Sequence, residues 1–104
     1  PATRLVRAIG PTLASFNVTG VLERPILEIF NADSAVIHSS ERISVPTNPA
    51  DIAFAATQVG AFALPPDSRD AVLLVTLPAG TYSAGVRGQA DTTGIALLEV
   101  YQLP

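Results

Sequence analysis

The sequence predicts an all-β protein: an antiparallel β-sandwich, immunoglobulin-like or jelly-roll-like, of six to seven strands with one short helix. Three observations lead to this class. Short apolar runs alternate with turn residues, mainly Gly, Pro, Asn and Asp. With 14% charged and 48% hydrophobic residues, the 104-residue chain has the composition of one folded domain, residues 1–104. Only one segment carries the start signals of a helix.

The strands are predicted from apolar runs that end at turn residues. In chain order they are Arg4–Ile9, Ile26–Phe30, Ala35–Ser39, Glu41–Val45, Ala71–Leu77, Thr81–Arg87 and Ile95–Leu103. The segment Thr12–Val21 has apolar residues at irregular spacing and is predicted to be a loop. Asn31–Ser34 is predicted to be a turn, because Asn and Asp side chains can hydrogen-bond their own backbone.

The helix prediction rests on a start signal and an apolar face. Asn48 can act as the N-cap, Pro49 suits the first helical position, and Asp51 places a carboxylate near the helix N-terminus. Four small or apolar residues then share one face: Ile52, Ala55, Ala56 and Val59. We therefore predict a helix from residue 49 to about residue 59.

The stretch Thr76–Gly88, "TLPAGTYSAGVRG", contains Gly80 and Gly85 at the spacing of a phosphate-binding loop. Such a loop needs Lys and Ser or Thr next, and Val86 and Arg87 stand there instead. The stretch is better explained as a strand, a tight corner and a second strand. Tyr82 is then predicted to hydrogen-bond a backbone group at this structural corner, which is formed by Pro78 and Gly80.

Composition argues against several classes of function. The net charge is −3, and the six basic residues are arginines scattered along the chain, so no basic stripe for nucleic acid is present. No apolar run approaches the length of a membrane-spanning helix, so we expect no membrane insertion. With no cysteine and one histidine, zinc, iron–sulfur and copper sites are not expected, and we predict no cofactor.

The candidate catalytic and calcium residues have simpler explanations. His38 lies next to Ser39 and Ser40, but neighbours in a strand face opposite ways and no G-x-S-x-G motif occurs. Asp67 and Asp70 lack the spacing of a calcium loop, and turn stabilisation is the preferred role. Calcium binding at this pair stays open. The glutamates fit solvated strand faces better than a sugar-cleaving pair. We expect no enzyme.

Three segments resemble a known family: Arg7–Ile37, Val59–Gly88 and Thr92–Pro104. Their motifs "RAIGPTL", "LPAGTYSAGVRG" and "TGIALLEVY" are similar to those of a repeat module in large secreted and surface proteins of environmental bacteria. A looser similarity connects them to bacterial pre-peptidase C-terminal β-sandwich domains. The resemblance implies an extracellular or cell-surface building block. The family's acidic and aromatic stretch is replaced here by "HSSERISV", which argues against a cation site.

The resembled module has further β sequence before its "LVRAIGP" strand, which predicts a sandwich that lacks one strand here. An unpaired sheet edge attracts another strand. We therefore predict a structural module that associates with copies of itself or with neighbouring repeats and forms a fibre if the contact does not close. An adhesive or carbohydrate-binding module is the alternative. The predicted assembly segments are the two termini, Pro1–Val6 and Leu97–Pro104. The residues expected to carry the pairing are Arg4, Leu5, Val6, Val100, Tyr101 and Leu103. Asn17 opens an N-x-T glycosylation sequon.

Overall fold

The computed structural model describes residues 1–41, 49–65 and 68–104. Its strands are β1 (Ala2–Ile9), β2 (Pro25–Phe30), β3 (Val36–Ser40), β4 (Ala71–Leu77), β5 (Ser83–Gly88) and β6 (Leu97–Gln102). One α-helix, α1 (Pro49–Val59), and 3₁₀ helices at Pro11–Phe16 and Gln89–Asp91 complete the elements. The prediction of an all-β sandwich with one short helix is confirmed, with six strands in the described part of the chain.

The strands form two antiparallel three-stranded sheets. The first sheet has the order β4-β1-β6 and the second has the order β3-β2-β5. In the first sheet β1 is central, so that Arg4 lies opposite Val75 on one side and opposite Gln102 on the other. The sheet is therefore built from the beginning, middle and end of the chain.

The main hydrophobic core lies between the two sheets. Alternate residues of β1, β2 and β4 point into it, as expected for strands with one face on a core. The buried members are Val6, Ala8, Leu27, Ile29, Ala71, Leu73 and Val75. Burying each larger aliphatic side chain contributes about 1.5–3 kcal/mol. Burial in this core therefore explains why the inward-facing residues of these strands are apolar, several of them β-branched.

The helix α1 covers the outer face of the first sheet. Its buried residues Ile52, Ala55 and Ala56 pack against Leu5 and Val72. The predicted bounds agree with the observed helix, because the apolar face and the proline at the first position mark it clearly. The predicted cap Asn48, Asp67 and all but the first residue of the predicted strand Glu41–Val45 lie outside the described residues.

The segment predicted to be a loop contains a 3₁₀ helix, Pro11–Phe16, and the loop prediction was wrong there. Leu13 is buried and Phe16 follows three residues later, which suits the three-residue turn of this helix type. Asn17 ends the helix with a left-handed φ of 66°. A 3₁₀ helix of six residues contains only two turns. Its repeat of apolar residues cannot be distinguished from irregular spacing in the sequence alone.

Candidate functional site

The edge of the first sheet at β6 carries backbone groups without a partner strand. β6 pairs with β1 on one side, and no other strand in the described ranges pairs with it. The N–H of Leu103 donates to Thr3 O at 3.1 Å, so the backbone of residue 103 points toward β1. Direction alternates along an antiparallel strand. Leu98, Val100 and Gln102 therefore direct their N–H and C=O groups outward, and we call this row the β6 edge.

The segment that forms the β6 edge also holds most of the exposed large aliphatic side chains in the described part of the chain. Four large aliphatic side chains lie in this segment and are 41–57% exposed: Ile95, Leu97, Leu98 and Val100. A strand edge that is both unpaired and apolar is the arrangement that attracts a further strand. The combination marks this edge as the candidate interaction site.

Residues 92–104, which form and flank the β6 edge, contribute no free charged side chain to it. Glu99 is the only charged side chain from residue 92 to residue 104, and its Oε1 lies 2.8 Å from Arg7 Nε in an ion pair. Its other oxygen accepts a hydrogen bond of 3.0 Å from the Tyr101 hydroxyl. Exposed charges are a common protection against edge-to-edge pairing. Here the single charge is already held inside the subunit.

The other sheet edges differ from β6 in ways that disfavour pairing. β3 exposes Val36 and Ile37, but its register with β2 shifts beside Phe30, and such irregularities twist an edge away from a partner. β5 presents Arg87, whose side chain is 60% exposed. The exposed residue within β4 is the polar Thr76. Among these strands β6 is the one whose edge is both regular and apolar.

A groove of about 470 Å³ lies between the sheets beside Val100. It is lined mainly by apolar side chains, among them Val6, Ile29, Leu77, Tyr82 and Val100. Arg4 shares the inner face of β1 with Val6 and also lines the groove. Its Nη1 donates a long hydrogen bond of 3.4 Å to Thr3 O, and no described carboxylate pairs with it. The groove therefore combines apolar walls with an unpaired cation.

The outer face of the first sheet contains a buried arginine. Arg7 is 1% exposed, and its Nη1 donates to Phe62 O at 2.7 Å. The guanidinium carbon also lies 4.6 Å from the centre of the Phe62 ring, within the range of a cation–π interaction. Partial burial, and next the hydrogen bond to Glu99, raise the pKa of Tyr101 above its ordinary value. This cluster holds β6 to β1 on the outer face of the first sheet and is not an exposed binding surface.

Asp70 is fully buried and joins the start of β4 to the end of β1. Its Oδ1 accepts from the N–H groups of Gly10 at 2.7 Å and Thr12 at 3.2 Å, and its Oδ2 accepts from the hydroxyls of Thr12 and Ser68. A Cβ added at Gly10 would lie 2.1 Å from Leu22 O, so only glycine fits this approach. The carboxylate is thus used inside the fold, whereas Asp67 lies outside the described residues.

The predicted structural corner contains a hydrogen bond of the expected kind. The Tyr82 hydroxyl donates to Pro78 O at 2.8 Å. The ring lies beside Gly80, where an added Cβ would be 3.3 Å from the Tyr82 oxygen. The bond closes the connection between β4 and β5. It also fixes the ring at one end of the groove.

The structure changes the predicted roles of the terminal segments. Arg4, Leu5 and Val6 lie in the central strand, with β4 on one side and β6 on the other. The prediction that they are free to pair with another copy was wrong for the folded chain. Val100 and Tyr101 lie in β6 and Leu103 just follows it, paired with the subunit's own β1 through one side only. The candidate site is therefore the side of β6 that faces away from β1.

The sequence interpretation assigned the segment Leu97–Pro104 to assembly but missed Ile95 and the ion pair that holds Glu99. A signal was present, since "IALLEV" is apolar at both strand parities and therefore places apolar side chains on both faces of the strand. Asn17 of the glycosylation sequon is exposed. His38 is half-buried on β3, opposite Ile29 of β2.

Two features are absent from the described residues. They contain no group of three or more His, Asp or Glu side chains arranged to hold a metal ion. Within residues 1–41, 49–65 and 68–104, no helix has the length and apolar character needed to cross a membrane. A comparison with protein-family models, curated proteins and solved structures finds no match to this chain. The site must therefore be interpreted from its own geometry.

Proposed function

We propose that the protein is a non-enzymatic structural module, extracellular or at the cell surface, that associates with copies of itself by pairing strands at the β6 edge. The observation that carries this proposal is the row of outward backbone groups at Leu98, Val100 and Gln102, beside exposed aliphatic side chains. A strand added there satisfies the backbone groups and removes apolar surface from water in one step.

Two physical terms at this edge contribute to association. Each backbone hydrogen bond contributes about 0.5–1.5 kcal/mol net. Covering Leu98 and Val100 adds about 25 cal/mol for each Å² of apolar surface removed from water. The approach of a second copy meets little charge repulsion, because Glu99 is held by Arg7. Strand addition to a sheet edge is an established mode of protein recognition.

The proposed location rests on the sequence. The motifs resemble repeat modules of secreted and surface proteins. The chain has no cysteine, so an oxidising compartment poses no risk of disulfide exchange. Detection of the protein in the surface or secreted fraction of its native cells, by peptide mass spectrometry after shaving intact cells with protease, tests this part. Recovery from the cytosolic fraction alone contradicts it.

The experiment on self-association compares two lysine substitutions on different edges. Val100→Lys places a charge at the β6 edge, whereas Val36→Lys places one on β3 at a residue of similar exposure, 49% against 57%. We expect the unmodified protein and Val36→Lys to associate with rising concentration in light scattering, and Val100→Lys to stay monomeric. A monomeric mass for the unmodified protein at millimolar concentration contradicts self-association. Equal association of both variants contradicts the β6 edge.

A binding module is the second candidate function, and the groove at Arg4 supports it. A cation among apolar walls suits a carboxylate carried on an apolar body. Sugar sites rely on aromatic stacking, and Tyr82 is the one aromatic residue that lines the groove. We expect octanoate to shift the NMR signals of the Tyr82 ring, and Arg4→Gln to weaken this response. A response to octyl glucoside but not to octanoate favours the carbohydrate alternative, and no response to either contradicts a binding role.

A further inference from the structure

We infer that the strand which completes the β6 edge is the β6 strand of a second copy, related by a two-fold axis that passes beside Val100. The inference rests on the proposed function and specifies its partner, direction and register. It also replaces the open fibre with a closed dimer. Three properties of the edge lead to it: the direction of its backbone groups, the position of its single charge and the limits of the strand.

The direction of the backbone groups restricts the possible registers. Two identical antiparallel strands joined about a two-fold axis keep their inner faces on the same side, so residues of the same parity lie opposite each other. The outward groups belong to Leu98, Val100 and Gln102. The axis can therefore pass beside any residue from 98 to 102, and each choice pairs different side chains. An axis beside residue 101 or residue 102 places Leu98 or Val100 opposite Pro104, which lies after the end of β6 and has no N–H to donate. The axes beside residues 98, 99 and 100 are left for comparison.

An axis beside Glu99 is unfavourable because it places two copies of this glutamate opposite each other. Like charges in directly opposed positions destabilise a sheet. Each carboxylate is also committed to Arg7 and Tyr101 of its own subunit, so neither can turn away without breaking those contacts. This register also leaves Gln102 opposite Ala96, which precedes the strand.

An axis beside Leu98 leaves two of the three outward residues without a partner in β6. It places Val100 opposite Ala96 and Gln102 opposite Gly94, and both partners lie before the start of β6 at Leu97. Gly94 lies in the segment that turns toward Leu22 and is not extended along β6. Of the three outward residues, only Leu98 at the axis would then have a partner within β6.

An axis beside Val100 satisfies the whole edge. Val100 then pairs with its own copy, and Leu98 of each subunit pairs with Gln102 of the other, so all outward groups find partners within the strand limits. Glu99 lies opposite Tyr101 of the second copy instead of another carboxylate. Leu97 lies opposite Leu103 of the second copy, which covers part of its exposed surface.

This arrangement closes because the same patch is used on both subunits. A two-fold contact consumes the edge of each copy and leaves none for a third. The two first sheets join into one continuous sheet with the order β4-β1-β6-β6-β1-β4. Val100 lines the groove of its own subunit, so its neighbour at the axis extends the apolar wall of both grooves.

Disulfide trapping tests the register, and the absence of native cysteine makes the result unambiguous. In Val100→Cys the two thiols lie opposite each other at a Cα separation of about 5.5 Å, within disulfide range. The control is Leu98→Cys, whose thiols in this register are about 13 Å apart along the strands. We expect Val100→Cys to form a covalent dimer about ten-fold faster or more than the control. A mixture of Leu98→Cys with Gln102→Cys should give covalent heterodimers.

The combined outcomes show whether the register, the closed dimer or self-association itself is wrong. If light scattering shows association but Leu98→Cys cross-links as fast as Val100→Cys, the register is wrong and self-association stands. If Val100→Cys cross-links while the unmodified protein forms species larger than a dimer, the closed dimer is contradicted. If the unmodified protein is monomeric at millimolar concentration and Val100→Cys cross-links no faster than Leu98→Cys, both proposals fail. Circular dichroism spectra matching the unmodified protein establish that the variants are folded.

Discussion

The guanidinium of Arg7 and the carboxylate of Glu99 form an ion pair inside the protein, with Arg7 Nε 2.8 Å from Glu99 Oε1. The two residues lie opposite each other in neighbouring strands, β1 and β6. Arg7 also binds the carbonyl of Phe62, in the segment that follows α1. The buried Arg7 thus connects its own strand β1 to the edge strand β6 and to the segment that follows α1.

We predict that Glu99→Gln lowers the free energy of unfolding by about 3–5 kcal/mol, because it leaves the buried Arg7 without a counter-charge. The control is Glu28→Gln, since the partner of Glu28 is the exposed Arg87. Such a surface pair contributes about 0–1 kcal/mol. Urea denaturation of the two variants measures the difference. Equal midpoints contradict a stabilising role for the buried pair.

Stability should fall in alkaline solution because of Tyr101. Partial burial, followed by the contact with Glu99, raises the pKa of this phenol in the folded protein above its unfolded value. The neutral form is therefore favoured by folding, and its contribution is complete below pH of about 10 and lost as the pH rises through the folded pKa. Unfolding free energies from pH 8 upward should decline less in Tyr101→Phe than in Tyr82→Phe. Identical declines argue against this assignment.

Removal of the Asp70 carboxylate should be costly. Asp70→Ala leaves the N–H groups of Gly10 and Thr12 without their acceptor in a buried site. Each unsatisfied donor costs about 1–3 kcal/mol, so we expect a loss of about 3 kcal/mol or more. Asp33→Ala, in an exposed turn, serves as the control and should change stability by less than about 0.5 kcal/mol. Comparable losses in thermal unfolding would mean that the hydrogen bonds of Asp70 contribute little.

Calcium should leave the protein unchanged. The oxygens of Asp70 are occupied by donors within the fold, and calcium requires about six to eight oxygen ligands. We expect equal melting temperatures in calcium chloride and in EDTA. A rise of several degrees in calcium that grows with its concentration would reveal binding by the native state and favour the calcium role that the sequence leaves open at Asp67 and Asp70.

The hydrogen bond at the structural corner should contribute modestly. Tyr82→Phe removes the donor to Pro78 O while keeping the ring, and the bond is accessible to solvent. We expect a loss of about 0.5–1 kcal/mol, within the usual net value of one hydrogen bond. Ser83→Ala, at the neighbouring exposed residue, is the matched control. An unchanged urea midpoint for Tyr82→Phe removes the corner from the interactions that stabilise the fold.

The sequence predicts the elements of this fold better than their arrangement. The bounds of β4 and α1 agree with the structure because apolar runs and helix start signals are local. The burial of Arg7 was missed, since its partners Glu99 and Phe62 are distant in the chain and the residues around it are buried on both strand faces. Apolar and polar residues then do not alternate along β1. The neighbouring residues therefore give no signal that distinguishes a buried arginine from an exposed one.

The candidate site was predicted only in part for the same reason. A strand is recognised from its own residues, but whether it is central or at an edge depends on which strands lie beside it. The terminal segments were correctly assigned to strands. Yet β1 is paired on both sides and β6 on one, and this difference comes from pairing between residues such as Arg4 and Gln102.

The central position of β1 has a consequence for synthesis on the ribosome. β1 leaves the ribosome before both of its neighbours. It can pair only after residues 71–77 and then residues 97–102 have been synthesised. Pairings this far apart in the chain make folding slow and leave the nascent strand exposed meanwhile. We expect ribosome-bound chains that end before β6 to stay sensitive to protease and to engage chaperones. Acquisition of the native state should come late, and abruptly, once the last strand is released.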